Sequence, residues 1–165
     1  MDYRLIIFDA DGTLRYCTIE GQPCPNRSGE WKLYPDVIEK LARFNWAHPG
    51  EESGVGYGIA SNQGGVGVGY FAEDTAVRLI EDTFSEAFGF SPAEGTIEIC
   101  PHVPHSGCGC RKPAPAMLNR LMKLYGVSPE NVLFVGDRDA DKEAAFNADC
   151  DFQWVSEFFD RDPEL

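Results

Sequence analysis

Apolar residues follow two rhythms along this chain, and their alternation predicts the architecture. Short continuous apolar runs at residues 3–8, 57–60, 96–99, 132–135 and 152–155 read as buried strands. Between them apolar positions recur every three or four residues. Val37, Ile38, Leu41 and Phe44 mark a helix over 36–45 with Asp36 as its cap. Val77, Ile80, Phe84 and Phe88 mark a second over 73–88. Two more are expected at 116–125, closing at Gly126, and at 139–147. Strands alternating with helices predict an α/β fold: a three-layer, Rossmann-like parallel sheet covered on both faces. Residues 15–34, with Gly21, Pro23, Pro25 and Gly29, read as a surface excursion inserted into it. The 165 residues suit a single domain spanning 1–165.

Charge narrows the partners. Fourteen Lys and Arg against 27 Asp and Glu give a net −13. That excludes a grip on long nucleic acid, which needs a basic face, and an anionic membrane surface. It is compatible with a small anionic substrate in a locally cationic pocket. The opening apolar run is short and meets Asp9 and Asp11 at once, so it is not a secretory signal, and no run approaches a membrane span. The expectation is a cytoplasmic monomer acting on a small molecule.

The predicted strand ends converge on chemistry. In parallel α/β sheets, sites lie beyond the carboxyl ends of the strands. Here those ends carry Asp9 and Asp11, Ser61, Cys100 and Asp137. Residues two apart in an extended chain face one side, so Asp9 and Asp11 share a cleft. Two close carboxylates do not ionise independently, which supplies a nucleophile and a proton donor. Asp137 and Asp141 would complete a hard oxygen site for Mg²⁺. A lone Asp-x-Asp is more often a turn former or cap; four aspartates at two strand ends favour a site.

A second cluster is soft. Cys100, His102, Cys108 and Cys110 place three thiols and an imidazole within eleven residues. That donor set suits a closed tetrahedral Zn²⁺ site with a structural role. His105, in the same loop, is an alternative ligand but is expected to be exposed. Cys17 and Cys24 read as free thiols on a loop, Cys150 as a small core residue, and Phe158-Phe159 as packed against the domain.

Asp9-Ala10-Asp11-Gly12-Thr13-Leu14, Ser61-Asn62, Lys112-Pro113 and Gly136-Asp137-Arg138-Asp139-Ala140-Asp141 together resemble, in order, the four motifs of the haloacid dehalogenase-like (HAD) phosphohydrolases. The resemblance implies that Asp9 attacks phosphorus, while Asp11 protonates the leaving oxygen and then activates water. It implies Mg²⁺ on Asp9, the Asp11 backbone carbonyl and Asp137, with Asp141 orienting that set. Thr13, Ser61, Asn62 and Lys112 would hold phosphate and substrate. The Cys-x-His…Cys-x-Cys-Arg-Lys-Pro run resembles the zinc-containing branch, with minimal caps, and makes Arg111 a second cation for substrate. That branch holds the heptose 1,7-bisphosphate and histidinol-phosphate phosphatases. Ser61-Asn62-Gln63-Gly64-Gly65-Val66 with Gly69-Tyr70-Phe71 is similar to the first. The five-residue gap after His102 and Gly136-Asp137-Arg138 are similar to the second. Ala10, Val68 and Ala116 depart from the pattern, and residues 15–34 match neither group. The expectation is a Mg²⁺-dependent phosphatase of carbohydrate metabolism acting on a heptose bisphosphate. Histidinol phosphate and a polynucleotide 3′-phosphate are alternatives, and a non-catalytic zinc-stabilised interaction module is the rival of another class.

Overall fold

Side chains alternate across a strand, and in the first strand, β1 (Leu5–Phe8), both faces are buried. Leu5 and Ile7 enter one hydrophobic cluster, Ile6 and Phe8 the other. A strand covered on both faces needs two flanking layers, which is what the chain builds. The structure, a computed structural model, describes residues 2–162.

After β1 comes a hairpin of β2 (Arg15–Cys17) and β3 (Trp31–Leu33), then α1 (Val37–Leu41), β4 (Trp46–Ala47) and β5 (Val55–Asn62). There follow α2 (Glu73–Phe88), β6 (Ile97–Cys100), α3 (Ala116–Tyr125), β7 (Val132–Gly136), α4 (Asp139–Asn147), β8 (Asp151–Trp154) and α5 (Val155–Phe158). Among the described residues the main sheet has six strands, in the order β4-β5-β1-β7-β8, and β6 also pairs with β5. Its pairings are all parallel. β4 meets the start of β5 at Val55 and β6 meets its end at Ile59–Asn62, so the two share one edge. From central β1 the chain moves first to β5 and later to β7 on the opposite side. The crevice at this reversal is where such sheets bind ligands.

One face of the sheet packs Val37, Leu41, Ile80 and Phe84, the other Met117, Leu121, Ala144 and Ala145. Each large apolar side chain buried this way contributes about 1.5–3 kcal/mol. Phe158 and Phe159 join the first face, with Phe158 edge-on to Phe8 at 5.4 Å, so the aromatic pair packs as expected. Among the described residues no helix is long and apolar enough to cross a membrane.

Four local expectations are corrected. The first helix is shorter, because the chain turns after Leu41 to bring Trp46 and Ala47 into the sheet. Ile38 lies off the inward stripe of Val37 and Leu41 and is 52% exposed. Asp36 makes no side-chain cap; its carboxylate takes the Arg161 guanidinium instead, at 2.8 Å. The last strand ends at Trp154, and Val155 opens a helix in which Glu157 accepts from the Trp154 N–H.

Candidate active site

The turn leaving β1 is wound about one carbonyl. Ala10 O accepts from the N–H groups of Thr13, Leu14 and Arg15. Gly12 takes φ of 85°, and a Cβ there would lie 2.1 Å from Asp137 Oδ2. Glycine therefore permits both the left-handed backbone and the close approach of the β7 loop. Gly136 serves Asp141 similarly, since a Cβ on it would lie 2.5 Å from the Asp141 Cβ.

These approaches gather three carboxylates. Asp9, Asp137 and Asp141 offer oxygens all within 4.8 Å of one another. Hard oxygen donors in a cradle that only glycine leaves open fit Mg²⁺. The Asp141 Oδ2 accepts from the N–H groups of Asp137 and Arg138, both at 3.1 Å. Lys112, 5% exposed, reaches in from the far loop. Its ammonium donates to Asp9 Oδ1 at 2.8 Å, Asp141 Oδ1 at 2.7 Å and Ala60 O at 2.9 Å, using all three of its protons. Burial pushes the Asp9 carboxyl well above the usual carboxylate range, with Asp141 and Asp137 adding to the shift and Lys112 opposing it. Asp137 is raised too, by burial first. Burial alone would lower the Lys112 ammonium, but Asp9 and Asp141 hold it above its ordinary value. A second cation would relieve the remaining crowding among the acids.

The carboxylates gathered beside Asp9 are Asp137, just after β7, and Asp141 of α4. Asp11 is drawn elsewhere. It pairs with Arg15, Nε to Oδ1 at 2.8 Å, and accepts from Gln63 Nε2 at 2.9 Å. Gln63 also donates to Ser61 Oγ at 2.8 Å.

Asp9, Asp11, Ser61, Asn62, Arg111 and Lys112 line one cleft of about 280 Å³. Asn62 spends its amide on the Lys112 backbone, accepting from its N–H at 3.0 Å and donating to its carbonyl at 3.2 Å. The Thr13 hydroxyl lies 3.4 Å from Asp137 Oδ1. Pro23 and Cys24 also line the cleft, so the excursion at 15–34 walls the site. Beside it lies a hollow of about 600 Å³ whose lining, among the described residues, includes Glu20, Gln22, Val68 and Tyr70 but no Lys or Arg. Cys17 and Cys24 are half-buried free thiols, and half-buried Cys150 borders the core beside α4.

The soft cluster also assembles. Its four donor atoms lie within 4.8 Å of one another. The Cys100 sulfur is 3.6 Å from that of Cys108 and 3.0 Å from that of Cys110, and His102 Nδ1 is 3.2 Å from Cys110 Sγ. Three sulfurs and one imidazole converging this closely fit a tetrahedral Zn²⁺, whose ligands stand about 3.8 Å apart. His105 is exposed and stands outside the group. Burial pushes the Cys100 thiol up to about 12, while the Ser106 hydroxyl leads the causes that bring Cys108 down to about 6. Arg111 Nη1 donates to His102 O at 2.9 Å, tying the cluster to the cleft.

Four residues of the site escape the sequence reading. Gln63 and Arg138, which also lines the cleft, sit inside motifs already singled out, so position was the available signal. Arg15 carries no signal beyond following the motif. Arg161, near the far end of the chain, donates from Nη2 to Thr13 O at 2.9 Å and carries none at all.

A HAD-hydrolase-like family model matches residues 109–162. A D-glycero-beta-D-manno-heptose-1,7-bisphosphate 7-phosphatase of Pseudomonas aeruginosa is 35% identical over 152 residues, covering 91% of this chain and 79% of that protein. The histidine biosynthesis bifunctional protein HisB of Legionella pneumophila is 33% identical over 93% of this chain and 41% of its own. The crystal structure of the D,D-heptose 1,7-bisphosphate phosphatase of Bordetella bronchiseptica, complexed with magnesium and phosphate, superposes with a TM-score of 0.71 at 30% identity, covering 92% of this chain and 79% of that one. With its motifs gathered in one cleft and relatives of this closeness, the chain belongs to the haloacid dehalogenase-like hydrolases, as a phosphoric monoester hydrolase of the family that includes the heptose-bisphosphate phosphatases.

Proposed function

We propose that this phosphatase acts on D-glycero-D-manno-heptose 1,7-bisphosphate through a phospho-aspartate formed on Asp9. The Lys112 bridge between Asp9 and Asp141 carries the reading. A buried ammonium beside a carboxylate in an anion-sized cleft screens that carboxylate from a phosphate it must attack. Asp9 is the nucleophile and Asp11 the acid and base. Ser61 and Arg111 receive phosphoryl and substrate oxygens, Lys112 offsets their charge from its place between Asp9 and Asp141, and Thr13 and Asn62 act by holding Asp137 and Lys112. Phosphoryl transfer needs little more than such positioning and charge stabilisation.

Asp9, Asp137 and the Asp11 backbone carbonyl would hold Mg²⁺, with Asp141 orienting them. When bound, the ion neutralises charge on the phosphoryl oxygens. Cys100, His102, Cys108 and Cys110 would hold Zn²⁺ in a closed set, with no position left for water, so its role is to brace Arg111 and Lys112. The enzyme works as a one-domain cytoplasmic monomer, with neither long nucleic acid nor membrane as partner, in keeping with its charge of −13.

The heptose substrate is supported by the names of the relatives, including one crystallised with magnesium and phosphate. Histidinol phosphate is the second reading, favoured by the spacing between His102 and Cys108, by Arg138 in the cleft and by the Legionella relative. Two measurements test the proposal. Asp9→Asn should abolish phosphate release while the fold persists; retained turnover defeats the mechanism. A panel of heptose bisphosphate, histidinol phosphate and a 3′-phosphorylated oligonucleotide, ranked by kcat/KM, should place the heptose first.

A further inference from the structure

Among the described residues no fully buried side chain is larger than Arg15, which is 1% exposed. Its guanidinium faces two ways. Nε and Nη2 donate to Asp11 Oδ1 and Oδ2 at 2.8 and 3.3 Å. Nη1 donates to Leu79 O at 3.1 Å and Thr83 Oγ1 at 2.9 Å, both on α2. Thr83 is itself fixed by its bond to Leu79 O at 2.8 Å. The α2 helix is seated in the core by Leu79, Ile80 and Phe84. Gln63, the residue after β5, adds a third bond to Asp11 through Nε2, and Ala10, wholly buried, brings no charge of its own. Burying a guanidinium is costly, and an apolar side chain of similar volume would join β2 to α2 as well or better. What an apolar replacement could not do is hold a carboxylate in one orientation by a two-pronged bond.

We propose that Arg15 is a positioning residue that anchors the acid–base carboxylate of Asp11 to α2. This rests on the acid–base reading of Asp11. In the first step an Asp9 oxygen bonds to phosphorus, the P–O bond to the leaving group breaks, and the Asp11 proton passes to the leaving oxygen. In the second, water bonds to phosphorus, its proton passes to Asp11, and the bond to Asp9 breaks, releasing phosphate. The transfers need the carboxyl within hydrogen-bond reach of the leaving oxygen and then of the attacking water. An alcohol leaves poorly without that proton, whereas p-nitrophenolate leaves without it.

The test compares kcat/KM of the Mg²⁺-supplied full chain on p-nitrophenyl phosphate and on the best alkyl phosphate of the substrate panel. Asp11→Asn calibrates the scale and should lose at least tenfold more on the alkyl ester; equal losses there overturn the acid–base reading and the proposal with it. Arg15→Met should show the same excess loss on the alkyl ester. Arg15→Lys should recover part of it, and Thr83→Val, which trims the α2 anchor alone, should show about a threefold excess. If Arg15→Met fails to fold, the lysine and valine variants decide the matter. Losses equal on both esters, or greater on the aryl ester, while Asp11→Asn discriminates, would falsify the proposal and leave Arg15 a packing element.

Discussion

The Lys112 ammonium donates to Asp141 Oδ1 at 2.7 Å, joining the loop that follows the thiol cluster to the first turn of α4. Through this contact the two halves of the site are set against each other, because the opposite oxygen of Asp141 holds the backbone of Asp137 and Arg138. Removing the ammonium leaves Asp9 and Asp141 buried without their shared partner. Lys112→Met should lower kcat/KM by about 10²–10³-fold and lower the melting temperature. Mg²⁺ should restore part of the melting temperature and little of the turnover. Near-normal turnover in this variant would refute a role at the phosphoryl group.

Arg161 holds the nucleophile turn from behind. It meets Asp36 through Nε and Nη2, both at 2.8 Å, donates to Thr13 O at 2.9 Å, and lies 3.8 Å over the Tyr34 ring. Arg161→Ala should reduce kcat about tenfold, as the turn carrying Asp9 and Asp11 loosens, with KM changed less. Denaturant titration should show a loss of about 1–2 kcal/mol. Unchanged kcat would mean the tail merely covers the fold.

The thiol cluster should hold about one Zn²⁺ per purified chain. Stripping it with a strong chelator should lower the melting temperature and open residues 100–112 to limited proteolysis. Cys108→Ser should reproduce both effects. A metal-free protein with native protease resistance would contradict the site.

Cys24 offers a pH-dependent readout of the cleft. Burial, helped by Asp11, pushes its thiol up to about 11. Burial disfavours the thiolate, so at pH 8 only about one molecule in a thousand carries it. Iodoacetamide labelling of Cys24, followed by peptide mapping, should therefore be slow at pH 8 and quicken about tenfold per unit as pH rises towards 11. Because Cys24 lines the cleft with Asp9 and Asp11, saturating phosphate should protect it. Rapid labelling at pH 7, or labelling indifferent to phosphate, contradicts this placement.

How much of the site could be read along the chain depends on residue type. Asp9, Ser61, Cys100 and Asp137 stand at strand ends, and strand ends follow from where apolar runs stop. Cys100, His102, Cys108 and Cys110 lie in one loop, so proximity in sequence announced proximity in space. Asn62 was legible as a site residue but not in its role, since its partner Lys112 stands fifty residues away. The shortfall at residues 15–34 has the same origin. A charged residue at position 15 reads as solvated unless the acid that pairs it and the helix that receives it are known.

Periodicity and spacing are local properties, and from them came the alternating strands and helices, the carboxylate motif and the soft donor set. Pairing is not local. The order β5-β1-β7 sets Lys112 between Asp9 and Asp141 and brings Gln63 to Asp11, and the return of the chain after α5 brings Arg161 to Thr13. Each of these contacts involves a charged group whose desolvation is offset by partners brought in from another strand, loop or helix. The chemistry of this chain is therefore written in its motifs, while the orientation of that chemistry is set by which strands became neighbours.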